Sequence, residues 1–460
     1  MVVIILALFS VFLLRLRHAL ARRALRSVHK RPLHVAFLHP DLGIGGAERL
    51  VVDAALSLHE RGHVVSITTA HHDASRCFVE TCDGTLSVQV VGSFIPRNIL
   101  GKFHIICATL RALVGAAALI LRKPGLDAVV VDQVPAAVPL LRVCGLAVVF
   151  YCHFPDKLLS PGAFAAGSSN TSTGNSSRSG GRPLVRQLYR LPFDLLEEAC
   201  TGCASIVLVN SDYTAAIYAA AFNFLRPIRQ LVGASLPTVL HPSIDLKANG
   251  PMPWPTVALD ADAPPLTLVS INRFERKKAL ELALHALRHL RSTPGRPQSV
   301  RLVLAGGFDH RLKENVEYYA ELEAIVKSGG MEDIVELRCN ISDEERRTLF
   351  ATAAAIVYTP SYEHFGIVPL EAMAAARPVI AVGLGGPCES IEHGRSGWLC
   401  EPTPDAFEAA FTEVIAMNAS GELRERGAAA RARVEAAFAR PRFGEALEGF
   451  LRCVSDDKTI

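Results

Sequence analysis

The stretch YTPSYEHFGIVPLEA, residues 358–372, holds a strand end, a glycine loop and a helix start in close succession. It closes the β-branched run AAIVYTP (354–360), which reads as a strand ending at Pro360. Pro369 suits the first turn of a helix, where its fixed φ is favourable and its missing N–H costs nothing. Glu363 then sits in the loop and Glu371 about one turn into the helix. The amides of Phe365, Gly366, Ile367 and Val368 point outward at the helix N-terminus. Unpaired N–H groups and the positive dipole end make that a seat for an anion such as a diphosphate. A carboxylate in a first turn is also an ordinary capping choice, so each glutamate alone is a weak signal. Two of them, eight apart around a glycine loop, are far more specific.

Working outward, short β-branched runs alternate with helical periods on both sides, as in a parallel sheet flanked by helices. Toward the C-terminal half these are LTLVSIN (266–272), a helix 279–291, VRLVLAGG (300–307), a helix 311–328, IVELRC (334–339) and PVIAVG (378–383). Toward the N-terminus the same rhythm gives HVAFLH (34–39), a helix 47–61, HVVSITT (63–69), AVVVD (128–132), AVVFYC (147–152) and SIVLVN (205–210). The expected fold is α/β, with two Rossmann-like, doubly wound domains facing a cleft, where ligands bind at the carboxyl ends of the strands. The expected boundaries are an N-terminal domain over 32–250, a Pro-rich linker over 251–265, a C-terminal domain over 266–440 and a C-terminal tail or helix over 441–460. A Ser/Gly/Asn tract over 160–182 is too polar to bury and reads as an insertion.

Two further loops carry chemistry. After the first strand comes HPDLGIGGAE (39–48), in which Gly45 and Gly46 let backbone amides approach an anion at a helix start. It is not the dinucleotide fingerprint, because the third glycine of that motif falls on Glu48. A plain tight turn also accounts for adjacent glycines. After strand 266–272 comes NRFERKK (272–278), whose cations Arg273, Arg276, Lys277 and Lys278 lie at a strand's carboxyl end. Basic residues at a helix start oppose the dipole unless an anion compensates, which favours phosphate binding over a merely solvated turn.

Composition sets the outer bounds. Half of the 460 residues are hydrophobic, 20% are charged and mean hydropathy is +0.26, which excludes a disordered chain. The net charge of +3 is too balanced for a general nucleic-acid binder. Residues 1–31 hold seven Lys/Arg and no acid, so 41 basic and 45 acidic residues remain for the body. An apolar run, residues 2–14, interrupted only by Ser10, precedes Arg15, Arg17, Arg22, Arg23 and Arg26, the reverse of the charge order of a cleaved signal peptide. This segment is expected to form an N-terminal membrane helix that crosses the bilayer or lies on an anionic leaflet, with the body on the cytosolic side. A second apolar stretch, 103–121, is broken by His104 and Arg111 and reads as a buried or membrane-grazing helix. The eleven cysteines are scattered and read as reduced thiols.

Glu363 and Glu371, with seven residues between them, match the E-x7-E signature of retaining glycosyltransferases of the GT-B fold, family 4 type. The tracts HPDLGIGGAERLVVDAA, FYCHFPD, LVNSDYTAA, SINRFERKKALELAL, EHFGIVPLEAM and PVIAVGLGGPCESI extend the resemblance from about Leu33 to Phe438, interrupted mainly by the 160–182 tract. His364 stands where a glycine is common in the family, as its mannosyltransferase branch permits. The resemblance implies that Arg273 and Lys278, with Lys277 an adjacent rival, neutralise a nucleotide diphosphate in place of a metal ion. It implies that Glu371 accepts the ribose hydroxyls, that Glu363 contacts the transferred sugar and that Gly45 and Gly46 close over the phosphates. His153, which follows a strand, matches a histidine facing the donor sugar, although a lone strand-end histidine is otherwise usually a packing residue. The glutamates are thus binding groups rather than a glycosidase acid/nucleophile pair.

The implied donor is GDP-mannose, with no cofactor or metal. The implied acceptor is a dolichyl-diphosphate-linked oligosaccharide at the endoplasmic reticulum membrane, extended by an α-1,3 and then an α-1,6 mannose. Other mannosyltransferases are the implied protein partners. The alternatives are a GT-B enzyme using another nucleotide sugar, such as UDP-N-acetylglucosamine, and a catalytically silent scaffold of the same fold. The intact set Arg273, Lys278, Glu363 and Glu371 counts against the scaffold.

Overall fold

The computed structural model describes residues 31–99, 103–122, 125–159, 184–225, 236–254, 265–292 and 300–456. The expected membrane segment up to residue 30, the 160–182 tract and most of the expected linker lie outside the described residues. The chain divides into two units, one running to His241 and resuming at Pro441, the other spanning Pro242–Arg440.

In the first unit the strands are β1 (His34–His39), β2 (Val64–Thr69), β3 (Ser87–Val90), β4 (Ala128–Asp132), β5 (Ala147–Cys152), β6 (Ile206–Val209) and β7 (Thr238–Val239). They form one parallel sheet in the order β3-β2-β1-β4-β5-β6-β7. Its central strands are apolar almost throughout because both faces are covered, as a parallel sheet requires. Val35 and Phe37 of β1 face one layer, with Leu50, Val51 and Ala54 of α1 (Gly46–Glu60). Ala36 and Leu38 face the other, with Ala116 and Leu119 of α2 (His104–Leu121) and Leu141 of α3 (Val138–Val143). Gly115 of α2 sets the closeness of that packing, since a Cβ there would come within 2.7 Å of Leu38 Cδ1. Further helices among the described residues are α4 (Asp156–Leu159), α5 (Leu184–Gly202) and α6 (Asp212–Ala221), the last capped by Ser211 Oγ accepting from Thr214 N.

The second unit repeats the plan. Its strands β8 (Leu266–Ile271), β9 (Val300–Gly306), β10 (Val335–Cys339), β11 (Ala355–Tyr358), β12 (Val379–Val382) and β13 (Gly397–Cys400) are parallel, in the order β10-β9-β8-β11-β12-β13. Its helices are α7 (Glu281–Ser292), α8 (Lys313–Ser328), α9 (Asp343–Thr352), α10 (Ile367–Ala374), α11 (Pro387–Ser390), α12 (Pro404–Ser420) and α13 (Glu422–Ala437). Ser342 and Glu345 form a reciprocal capping box at the start of α9. Both sheets have the doubly wound order, with the topological switch between β1 and β4 in one unit and between β8 and β11 in the other.

Three differences from the sequence reading matter. The expected boundary at residue 250 falls instead at 241, and of the tail or helix expected from 441 the helix is what forms, over the described residues 441–456. They belong to α14 (Arg440–Asp456), whose Phe443, Leu447, Leu451 and Val454 complete the α1 side of the first unit's core. The apolar stretch 103–121 is helical over 104–121, long and apolar enough to cross a membrane by length and composition, with only 28% of it buried. The strands β3 (SVQV), β7 (TV) and β13 (GWLC) escaped the sequence reading because β7 is two residues long and the other two carry a polar residue or a glycine in place of a continuous β-branched run. Each is held by pairing to a longer neighbour. All eleven cysteines are free thiols.

Candidate active site

In the second unit the loops after β8 and β11 leave adjacent strands at the switch point, which is where a doubly wound sheet opens a crevice. Lys278 ends a short 3₁₀ turn, Arg276–Lys278, which is followed by Ala279 at φ 47°. Thr359 Oγ1 donates to the Lys278 carbonyl at 2.6 Å, fastening that turn to the end of β11. The Lys278 ammonium is nearly covered and pairs with the Glu363 carboxylate. Burial pushes the Glu363 carboxyl up, but the adjacent ammonium more than offsets this and holds it below its ordinary value. The Glu363 carbonyl accepts from Gly386 N at 2.8 Å, anchoring the loop to the segment after β12.

The loop then turns into α10. Gly366, its N-cap, stands at φ 88°, and a Cβ there would press within 3.1 Å of the Tyr358 hydroxyl. Glycine is therefore required both by the backbone and by the neighbouring ring. Phe365 is buried, its ring 5.9 Å from that of Phe438. Ile367 and Val368 open the helix, so their amides precede any intrahelical acceptor and face outward along the axis. Glu371 lies one turn further on, as the sequence indicated. Burial raises its carboxyl above the ordinary value, and the Arg346 guanidinium of α9, which pairs with it, opposes that rise only in part.

Arg346 was not singled out in the sequence. Its contact with Glu371 joins residues 25 apart through two separate helices, so no local spacing announces it. Of the cations after β8, Arg273 pairs with Glu275 at 2.9 Å and Lys277 pairs with the same carboxylate at 3.1 Å, both largely exposed. Neither forms an ion pair with Glu363 or Glu371. Lys278, rather than Lys277, is therefore the ammonium beside the glutamate loop. The Arg273 stem lies against Gly307, where a Cβ would come within 3.2 Å of its Cγ.

His153, Gly45 and Gly46 belong to the first unit. Gly45 caps α1 in an extended conformation, and a Cβ there would overlap the Glu48 carboxylate at 2.2 Å. Nothing lies within 4 Å of a Cβ at Gly46, so packing does not demand that glycine. His153 follows β5 with its ring about one-fifth exposed. Its Nε2 lies 3.2 Å from Asp132 Oδ2 and its carbonyl accepts from Asn210 Nδ2 at 3.0 Å.

Both halves match known families. Residues 258–433 match "Glycosyl transferases group 1" and residues 44–230 match "Glycosyltransferase Family 4". Alpha-1,3/1,6-mannosyltransferase ALG2 of Homo sapiens is 41% identical over 421 residues, covering 90% of this chain and 94% of the human protein. The protein of the same name from Rhizomucor pusillus is 40% identical over 447 residues, covering 92% of each chain. The chain belongs to the α-1,3/1,6-mannosyltransferase family of glycosyltransferases.

Solved structures agree on the fold. Sucrose-phosphate synthase from Thermosynechococcus elongatus, at 20% identity, aligns with a TM-score of 0.65 over 92% of this chain and 99% of that one. Anabaena HepE in complex with UDP, at 19% identity, aligns with a TM-score of 0.63 over 92% of this chain and all of that one. The α-1,3/1,6-mannosyltransferase family thus has in this chain the GT-B fold, with two Rossmann-like units.

Proposed function

We propose that the protein transfers mannose from GDP-mannose to a dolichyl-diphosphate-linked oligosaccharide, in α-1,3 and then α-1,6 linkage, in assembly of the N-glycan precursor. The observation that carries the reading is the high-coverage identity to the human and Rhizomucor mannosyltransferases, combined with the E-x7-E pair at the switch point beside a buried ammonium. The protein works at the endoplasmic reticulum membrane, its body facing the cytosol and residues 1–31 attaching it. Other mannosyltransferases acting on the same lipid-linked acceptor are candidate protein partners.

Departure of GDP builds negative charge on the diphosphate, which must be met where it develops. Lys278, Arg273 and the first amides of α10 supply that compensation with no metal ion. Glu371 accepts the ribose hydroxyls and Glu363 contacts the mannose, its carboxylate kept ionised by Lys278. The family resemblance assigns Gly45 and Gly46 to the phosphates and His153 to the sugar. The acceptor hydroxyl attacks on the face the leaving phosphate vacates, and a phosphate oxygen takes its proton, so the anomeric configuration is retained.

The test is to supply the purified full-length protein with radiolabelled GDP-mannose and a synthetic phytanyl-linked acceptor. The wild type should form product and Glu371→Ala should form none while staying folded and membrane-bound. Full activity in Glu371→Ala overturns the site assignment, and preference for UDP-N-acetylglucosamine overturns the donor.

A further inference from the structure

Three strand ends of the first unit meet around one carboxylate. β1 ends on His39, β4 on Asp132, and His153 follows β5, the three strands being neighbours in the sheet. Asp132 is fully enclosed. His39 Nδ1 lies 2.8 Å from each of its two oxygens, and His153 Nε2 lies 3.2 Å from Oδ2. A carboxylate can only accept, so both of those ring nitrogens carry protons. With Nε2 carrying the proton toward Asp132, Nδ1 is the ring nitrogen left to accept.

The second nitrogen of His39 adds an independent observation. Nε2 is buried without a well-formed hydrogen bond, and the nearest carboxylate is Glu48 Oε1 at 3.9 Å. Glu48 is the residue that occupies the third-glycine position of the first loop, where it lies against Gly45. A neutral ring would turn a bare lone pair toward that carboxylate. A doubly protonated ring instead lies between two carboxylates and suits both. Burial disfavours the charge, but Asp132, Glu48 and the Asp41 backbone together outweigh it and raise the His39 pKa above its ordinary value.

We propose that His39 is a positioning residue. As a buried imidazolium it holds Asp132 ionised, and through Asp132 it fixes His153 in the Nε2–H tautomer, with Nδ1 presented to a hydroxyl of the donor sugar. This rests on the proposed placing of His153 at the donor. The arrangement follows the logic by which an acid orients a working histidine, with one more member that keeps the acid charged in a fully enclosed site. It also gives Glu48 a role beyond helix-start electrostatics, because its carboxylate couples the phosphate-side loop to the sugar-side histidine.

The experiment uses the full chain carrying ¹⁵N-histidine, with His153 resonances assigned by their loss in His153→Gln. His39→Asn keeps a donor near the Nδ1 position but cannot carry charge. In the wild type His153 should show the Nε2–H tautomer, and in His39→Asn a mixture of tautomers. The variant should lose at least about 10-fold in kcat for GDP-mannose, its KM staying within about twofold and its melting temperature within a few degrees. A kcat equal to wild type, or a loss that tracks unfolding alone, overturns the inference. If His39→Asn does not fold, the wild-type spectrum decides, since a His153 carrying its proton on Nδ1 is incompatible with this arrangement. A wild type that turns over no GDP-mannose refutes the donor reading instead and leaves the tautomer measurement to judge His39.

Discussion

Lys278 and Glu363 are worth more together than the sum of two charges, because each is largely withdrawn from water and each answers the other's burial. Removing the ammonium strands a carboxylate in a covered loop, a class of change costing about 1–3 kcal/mol. Lys278→Ala should therefore lower stability by about that amount and kcat by about 10²–10³-fold, measured by denaturant unfolding and by GDP-mannose turnover. The Glu363 carboxyl is held below its ordinary value of 4.5, so its stabilising share is complete above that pH and is lost as pH falls through the folded-state value. The gap between wild type and Lys278→Ala should accordingly close on acidification. Glu371 has the opposite sign. Its carboxyl is raised, so keeping it ionised costs the folded protein stability above pH 4.5, and the cost disappears below that value. Glu371→Gln should melt at or above the wild-type temperature at pH 7.5, match it near pH 4, and lose donor binding. A clear drop in melting temperature at pH 7.5 would show that the Arg346 pairing outweighs the burial cost.

At the scale of the element, α10 is a short apolar helix whose start rather than its body does the chemistry. Its N-cap needs a positive φ and has Tyr358 beside it, two independent demands for glycine. Gly366→Ala should cost about 1–2 kcal/mol in stability through the strained backbone. It should also weaken GDP binding about 10-fold, because the amides of Ile367 and Val368 are re-aimed; calorimetric titration of GDP checks this. The glycine, the proline and both glutamates were legible as a strand–loop–helix because each acts through local geometry. Arg346 was not legible, since it reaches Glu371 from α9 across a loop, a strand and a second loop.

For the whole molecule, the chain crosses back after Arg440, and the last helix completes the core in which the first strand lies. Four buried apolar side chains, Phe443, Leu447, Leu451 and Val454, at about 1.5–3 kcal/mol each, rival the entire stability of a typical domain. Truncation after Arg440 should give insoluble protein, and Leu451→Ala alone should cost about 2–5 kcal/mol by thermal unfolding. The sequence by itself determined two doubly wound α/β units, their family, the E-x7-E loop and the cations after β8, because strand period, proline, glycine and charge act over neighbouring residues. Only the tertiary structure decided that Lys278 rather than Lys277 meets Glu363, that Arg346 meets Glu371, that His39 and His153 share Asp132, and that the C-terminal helix belongs to the first unit. Those choices depend on which strand ends the sheet order makes neighbours and which buried charges must find one another there. Neither is written in any local stretch of the chain.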